Sequence, residues 1–194
     1  MCGRYHIDED LEDRVKKDFE GILVRPDAEK PGGDVFPSEK APVIDAVGEG
    51  FALDGRRWGY PGMKKGSLII NARAESVRER KIFRGGIEHG RIAVPADSFY
   101  EWNREREKYV FQRTDSSLLY LAGIMDFFGG ELCFVILTTQ ANDSVSRVHD
   151  RMPLILEKVQ IAGWIRDSRA ADDVLRQKPV LLDRSAEYEQ MSLF

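Results

Sequence analysis

Two reactive groups share one residue at the start of the chain. Cys2 directly follows Met1, and its small side chain favours removal of the methionine. The chain would then open on a cysteine. Such a residue carries an α-amine that titrates near pH ~7.7–8.0 and a thiol near ~8.5, so both are partly deprotonated at neutral pH. The amine can condense with an aldehyde to an imine. The thiol two carbons away can then add to the imine carbon and close a five-membered thiazolidine, which no internal cysteine can do. The plainer alternative is an early residue of an ordinary strand. The other cysteine, Cys133, lies in Leu132-Cys133-Phe134-Val135-Ile136-Leu137, where a free cysteine behaves as a small buried hydrophobe.

Further along, several polar residues sit oddly against apolar runs. Asn71 follows Leu68-Ile69-Ile70; an amide there caps a following helix or orients a substrate hydroxyl or the N-terminus. Arg73 is either a solvated helix residue or a phosphate ligand, to which its planar fork is suited. Glu101 stands between Tyr100 and Trp102. Partial desolvation there would raise its pKa and suit acid–base work, although composition alone favours an edge-strand glutamate paired with an arginine. His149 precedes Asp150-Arg151-Met152-Pro153 and has the side chain best matched to proton transfer near neutrality; it is otherwise structural. Arg151 beside it offers a salt bridge or a phosphate contact. His6 and His89 read as structural or exposed.

The elements that must position these residues are short. Residues 8–20 carry Leu11, Val15 and Phe19 at helical spacing, with Asp8 as a candidate N-cap and Gly21 as the stop. Residues 25–40 are irregular and 59–66 form a loop. Residues 42–47 and 51–58 predict a hairpin around Gly48-Glu49-Gly50. Residues 68–71, 91–95, 109–113, 118–124, 132–138 and 153–156 predict strands. Residues 72–81, 142–149, 159–166 and 172–176 predict helices. The pattern is an α+β domain with a curved, barrel-like, mostly antiparallel β core flanked by short helices.

At 194 residues, 42% hydrophobic and 32% charged, the chain suits one globular domain with a substantial core. No apolar run reaches the ~20 residues of a membrane helix, and no secretory signal is present, so the expected compartment is cytoplasmic with no membrane partner. Two cysteines make neither a disulfide framework nor a metal site, and no metal or cofactor is expected. A net charge of -4 argues against non-specific coating of nucleic acid while leaving room for a local arginine-lined groove.

Five motifs in order carry a resemblance: Met1-Cys2-Gly3-Arg4-Tyr5, Asn71-Ala72-Arg73-Ala74-Glu75, Ser98-Phe99-Tyr100-Glu101-Trp102, Thr138-Thr139-Gln140-Ala141-Asn142 and His149-Asp150-Arg151-Met152-Pro153. Together they resemble the SRAP family, the SOS response-associated peptidases that shield abasic sites on single-stranded DNA. The resemblance implies one SRAP domain over residues 1–194. It implies removal of Met1 and a slowly reversible thiazolidine cross-link between Cys2 and the abasic deoxyribose. Asn71, Glu101 and His149 would complete the catalytic site. Arg4, Arg73 and Arg151 would lie near phosphates, and Pro37, Trp58 and Trp102 near bases or sugar. The implied partner is single-stranded DNA containing an abasic site, met by a monomer at damaged DNA in the nucleoid. The older peptidase label fits cleavage of a short N-terminal extension to expose Cys2. Two segments depart from the usual pattern: Asp34-Val35-Phe36-Pro37-Ser38 replaces Asn-Ile-Ala-Pro-Thr, and Trp58-Gly59-Tyr60-Pro61 begins a short connection to Asn71. Two other classes use the same residues: an N-terminal-nucleophile cysteine amidohydrolase, and a single-strand binding module without catalysis.

Overall fold

The computed structural model describes residues 2–28 and 30–186. Its centre is a ring of five strands. Lys40–Val47 pairs antiparallel with Gly50–Trp58 along its whole length, and the tight turn between them uses Gly48 at φ 54°, a left-handed backbone that glycine adopts without steric cost. Lys40–Val47 also meets Arg91–Ala96, which pairs with Leu119–Phe128, which pairs with Glu131–Gln140. The ring closes where Cys133 and Phe134 pair in parallel with Arg57 and Trp58. Val43, Ile44, Leu53, Ile92, Val94, Leu121, Phe134 and Val135 are fully or almost fully buried, as expected of a barrel too narrow to be anything but a packed core.

A second antiparallel sheet carries the N-terminus. Its order is Asp183–Ala186, Lys108–Gln112, Ser98–Trp102, Tyr5–Ile7, Gly33–Val35. One stretch of chain serves both sheets, leaving the barrel at Ala96 and entering the second sheet at Ser98. The intervening Asp97 accepts the Asp8 amide at 2.6 Å and the Arg14 guanidinium, which fastens the first helix, α1 (Leu11–Asp18), across the corner.

The hairpin, the strands at 91–95, 109–113, 118–124 and 132–138, and the α+β barrel architecture are as expected from the sequence. Other elements differ. Asp8 does not cap α1; its carboxylate faces His6 instead. Residues 72–81 are not a helix. Asn71–Arg73 is a strand lying parallel to residues 136–138, Ala74–Ser76 is a single 3-10 turn, and helix α2 begins only at Lys81 and ends at His89. Sheet pairing here overrides local helical propensity. Ser98–Trp102 lies inside its sheet, not at an edge. Residues 143–148 form turns and not a helix; the Asn142 side chain donates to the carbonyls of Pro179 and Val180 and accepts from Ser144.

Arg91 fastens two helices to the barrel. Its buried guanidinium donates to the carbonyls of Ile87 and Glu88 at the end of α2, and to those of Trp164 and Ile165 at the end of α3 (Ile161–Arg166), at 2.6–3.2 Å. These carbonyls have no partner within their own helices. A second anchor is the Trp164 indole, which donates to Ile92 O at 2.9 Å. The fourth helix, α4 (Ser168–Arg176), starts on Asp167, whose carboxylate accepts the amides of Arg169 and Ala170. No helix among the described residues is long and apolar enough to cross a membrane.

Candidate active site around Cys2

The register of the second sheet brings the N-terminus to Glu101. Tyr5 pairs with Phe99 and His6 with Ser98, and the Tyr100 amide donates to Arg4 O at 3.1 Å. Residues 2–4 therefore run back along residues 100–102. Cys2 is completely buried, and its thiol is directed at the same Arg4 carbonyl at 3.6 Å. Burial pushes the thiol far above its ordinary pKa, and the negative charge of Glu101 pushes it further. The thiol is thus held protonated at neutral pH. That revises the expectation of a partly ionised thiol, which takes a solvated side chain as its reference.

Asn71 grips this segment from the barrel side. Its Nδ2 donates to Cys2 O at 2.9 Å, while its Oδ1 is buried without a hydrogen-bond partner. A buried orphan acceptor calls for an explanation, and a donor brought by a ligand is one. Asn71 can reach Cys2 because Asn71–Arg73 lies parallel to the Glu131–Gln140 strand, with the Ile136 amide donating to Ile70 O.

Glu101 is buried, and burial raises its carboxyl pKa while the nearby His149 opposes the rise. A carboxyl raised in the folded state binds its proton more tightly folded than unfolded. The ionised form consequently costs stability above the ordinary carboxylate range. Glu101→Gln is expected to melt no lower than the parent at pH 7, with any advantage vanishing as the pH falls below ~4.5. A fall in melting temperature at pH 7 would contradict the desolvation reading.

The imidazole of His149 is fixed through Nδ1, which accepts the Arg151 backbone N–H at 2.9 Å. Asp150 Oδ1 at 3.0 Å and Arg151 O at 3.2 Å also lie against Nδ1. Arg151 itself is engaged: it makes a bidentate pair with Glu75 (2.7 and 2.8 Å) and donates to Thr138 O at 2.7 Å. These bonds hold the Glu75 carboxyl below the usual range. The chain offers Arg151 to Glu75 rather than to a phosphate, and the pair ties the turn bearing His149 to the strand bearing Asn71. The Arg73 side chain, in contrast, is exposed, and its guanidinium makes no hydrogen bond or ion pair among the described residues.

Above Cys2 the Arg4 guanidinium lies 4.6 Å from the centre of the Phe36 ring, 5.3 Å from Trp102 and 5.9 Å from Tyr100. Asp34 orders this cluster. It accepts the Tyr100 hydroxyl at 2.9 Å, contacts His6 at 3.0 Å and faces Arg4 at 3.6 Å. Burial works against ionisation of Asp34, but the bonds to His6 and Tyr100 and the Arg4 charge together hold its carboxyl low. Tyr100, by burial and by Asp34, is pushed up to about 12. Pro37 is half-buried in the adjoining loop.

Trp58 is not part of this surface. It has 0% exposure, packs between Tyr5 and Phe134, and donates its indole N–H to Ile70 O at 3.0 Å. It leaves no ring face for a base and instead backs the strand that carries Asn71. The sequence reading missed Glu75, Asp34 and Phe36. Glu75 and Asp34 stood inside quoted segments, but nothing in their spacing marks which arginine each would meet.

The molecule is thus an α+β protein that buries Cys2 beside the Asn71 amide and near the Glu101 carboxyl, itself near His149, at the junction of a closed five-stranded barrel and a second sheet. The family model described as SOS response associated peptidase (SRAP) matches residues 1–193, and the chain belongs to that family. It is 31% identical over 210 residues to the abasic site processing protein YoqW of Bacillus subtilis (strain 168), covering 100% of this chain and 93% of that one. It is 31% identical over 182 residues to the abasic site processing protein YedK of Escherichia coli (strain K12), covering 86% and 80%. A crystal structure of a Bordetella bronchiseptica protein shares the fold, with a TM-score of 0.79 at 24% identity over 95% of this chain and 99% of that one.

Proposed function

We propose that this protein captures abasic sites in single-stranded DNA as a covalent, slowly reversible thiazolidine on Cys2, once Met1 has been removed. The observation that carries the reading is the double engagement of Asn71. Its amide nitrogen holds Cys2 by the carbonyl while its buried oxygen waits for a donor, which a sugar hydroxyl or the freed α-amine supplies.

The residues divide the work. The α-amine adds to the C1′ aldehyde of the ring-opened sugar and loses water to give an imine. The sulfur of Cys2 then adds to the imine carbon, and its proton passes to the nitrogen. His149 protonates the ring oxygen as the sugar opens, and Glu101 relays the protons of the amine. A thiol kept protonated suits second place in this order and is a poor first nucleophile for amide cleavage. Arg73 and Arg4 meet the flanking phosphates, and Trp102 and Pro37 face the strand. Arg151 acts through His149.

The test is to incubate the demethionylated protein with a strand containing one abasic site and to look for a product that survives denaturation. Its mass should be the sum of the two components less one water. No such product would overturn the assignment. The arginine roles separate by salt dependence on a strand with a tetrahydrofuran residue, an abasic analogue without an aldehyde. Arg73→Ala should reduce the slope of log K against log salt by about 0.7, the value for one phosphate of a single strand. Arg151→Ala should leave the slope unchanged and slow adduct formation. Equal slopes for Arg73→Ala and the parent would remove Arg73 from the groove.

A further inference from the structure

Phe36 is a large apolar side chain held partly in solvent, at 40% exposure, by a loop that is tightly fastened. Its amide donates to Glu39 Oε2 at 3.2 Å, and its carbonyl accepts the Glu39 amide at 3.2 Å. Glu39 is anchored by Lys30 at 3.0 Å. Ser38 sits at φ 79°, a conformation that costs a non-glycine residue energy, and is pinned by its amide to Trp58 O at 2.8 Å and by its carbonyl to Arg57 at 2.8 Å. Pro37 removes one further backbone freedom. Such a loop presents the ring in a set orientation, where a mobile loop would let it fold back onto the surface.

The ring is also part of a layered arrangement. The Arg4 guanidinium lies over Phe36 at 4.6 Å and over Trp102 at 5.3 Å. Cys2 is two residues away along the chain. A guanidinium flanked by aromatic rings is half of a stack that a flat heterocycle completes. The charge beside it suits a ligand whose backbone is anionic.

We propose that Phe36 is a stacking platform for the intact nucleobase next to the abasic position, with the base on the ring surface that Arg4 leaves open. This inference rests on the proposed function and names one contact with that substrate. Stacking reads the π-face every base possesses, so it tolerates any neighbouring sequence, as recognition of a missing base requires. It also fixes the damaged nucleotide against Cys2 without relying on the base that is gone.

The experiment uses strands bearing a tetrahydrofuran residue with 2-aminopurine on its 5′ or its 3′ side. The fluorescence of 2-aminopurine is quenched on stacking. The parent protein should quench one of the two. Phe36→Ala should lose that quench and bind about fivefold to a hundredfold more weakly, the range for removing one base–aromatic stack, with the salt slope unchanged because no charge is lost. Phe36→Trp should restore both. Quench and affinity in Phe36→Ala equal to the parent, or no quench by the parent at either position, would overturn the inference. Adduct formation with a genuine abasic strand at saturating concentration is scored in parallel. It should persist in Phe36→Ala, so failure of the platform and failure of the cross-linking chemistry give different results.

Discussion

Cys2→Ala, prepared with its methionine removed, will form no denaturation-resistant product with an abasic strand. The variant keeps its α-amine, so imine formation remains open to it and ring closure does not. An imine hydrolyses on denaturation, whereas a thiazolidine has its carbon saturated by sulfur and nitrogen. Adding borohydride before denaturation should therefore recover a covalent product from Cys2→Ala and change the parent's yield little. Binding to the tetrahydrofuran strand should move less than about twofold, because the thiol is buried and faces Arg4 O, away from any phosphate. Equal adduct in Cys2→Ala and the parent without reductant would refute the thiazolidine. Absence of adduct in Cys2→Ala even with borohydride would refute the amine as first nucleophile.

Arg91→Met is expected to lower stability by about 3–5 kcal/mol. Four carbonyls at the ends of α2 and α3 share this one guanidinium. Hydrogen bonds to a charged group are worth ~1.5–3 kcal/mol each, and the loss is less than additive because some carbonyls find other donors. For a chain of this size a kilocalorie moves the melting temperature by about 2–4 °C, so a fall of roughly 10 °C is expected by calorimetry. Arg91→Lys should recover only part of it, since an ammonium cannot reach in a planar fork toward two helices at once. A shift under about 2 °C in Arg91→Met would show that the helices hold the barrel without it. Adduct formation well below the melting temperature should match the parent, because Arg91 binds helix ends and not the Cys2 cluster.

Each residue of the candidate centre is odd locally, but read alone each was open to a structural role, and only the five ordered motifs grouped them. Cys2 directly follows Met1, Glu101 stands between two aromatics, and His149 leads into a polar turn. The structure sets Asn71 against Cys2 and Glu101 near both Cys2 and His149. The hairpin was legible from apolar runs around Gly48-Glu49-Gly50. What could not be read were relations between distant segments. The helical composition of 72–81 says nothing of the parallel register with 136–138 that makes Asn71–Arg73 a strand. Arg151 was open to a salt bridge or a phosphate, and nothing marked Glu75, 76 residues away in sequence, as its partner. Trp58, which the family resemblance sets near bases or sugar, is enclosed once the barrel closes over it. In each case a long-range contact decides what the local sequence leaves open.

The parallel seam of the barrel has a consequence for the chemistry. The five strands are shut only where Cys133 and Phe134 meet Arg57 and Trp58, a brief stitch beside the hairpin that pairs from Lys40 to Gly50. Trp58 at that stitch holds Ile70 O, and Ile70 precedes the residue gripping Cys2. Thermal breathing that parts the seam would slacken that hold while the remaining staves of the barrel stay joined. Capture would then fade on warming before the body of the protein unravels, and the amide of Gly59, which donates to Phe134 O across the seam at 2.7 Å, would exchange with solvent deuterium sooner than those of the hairpin.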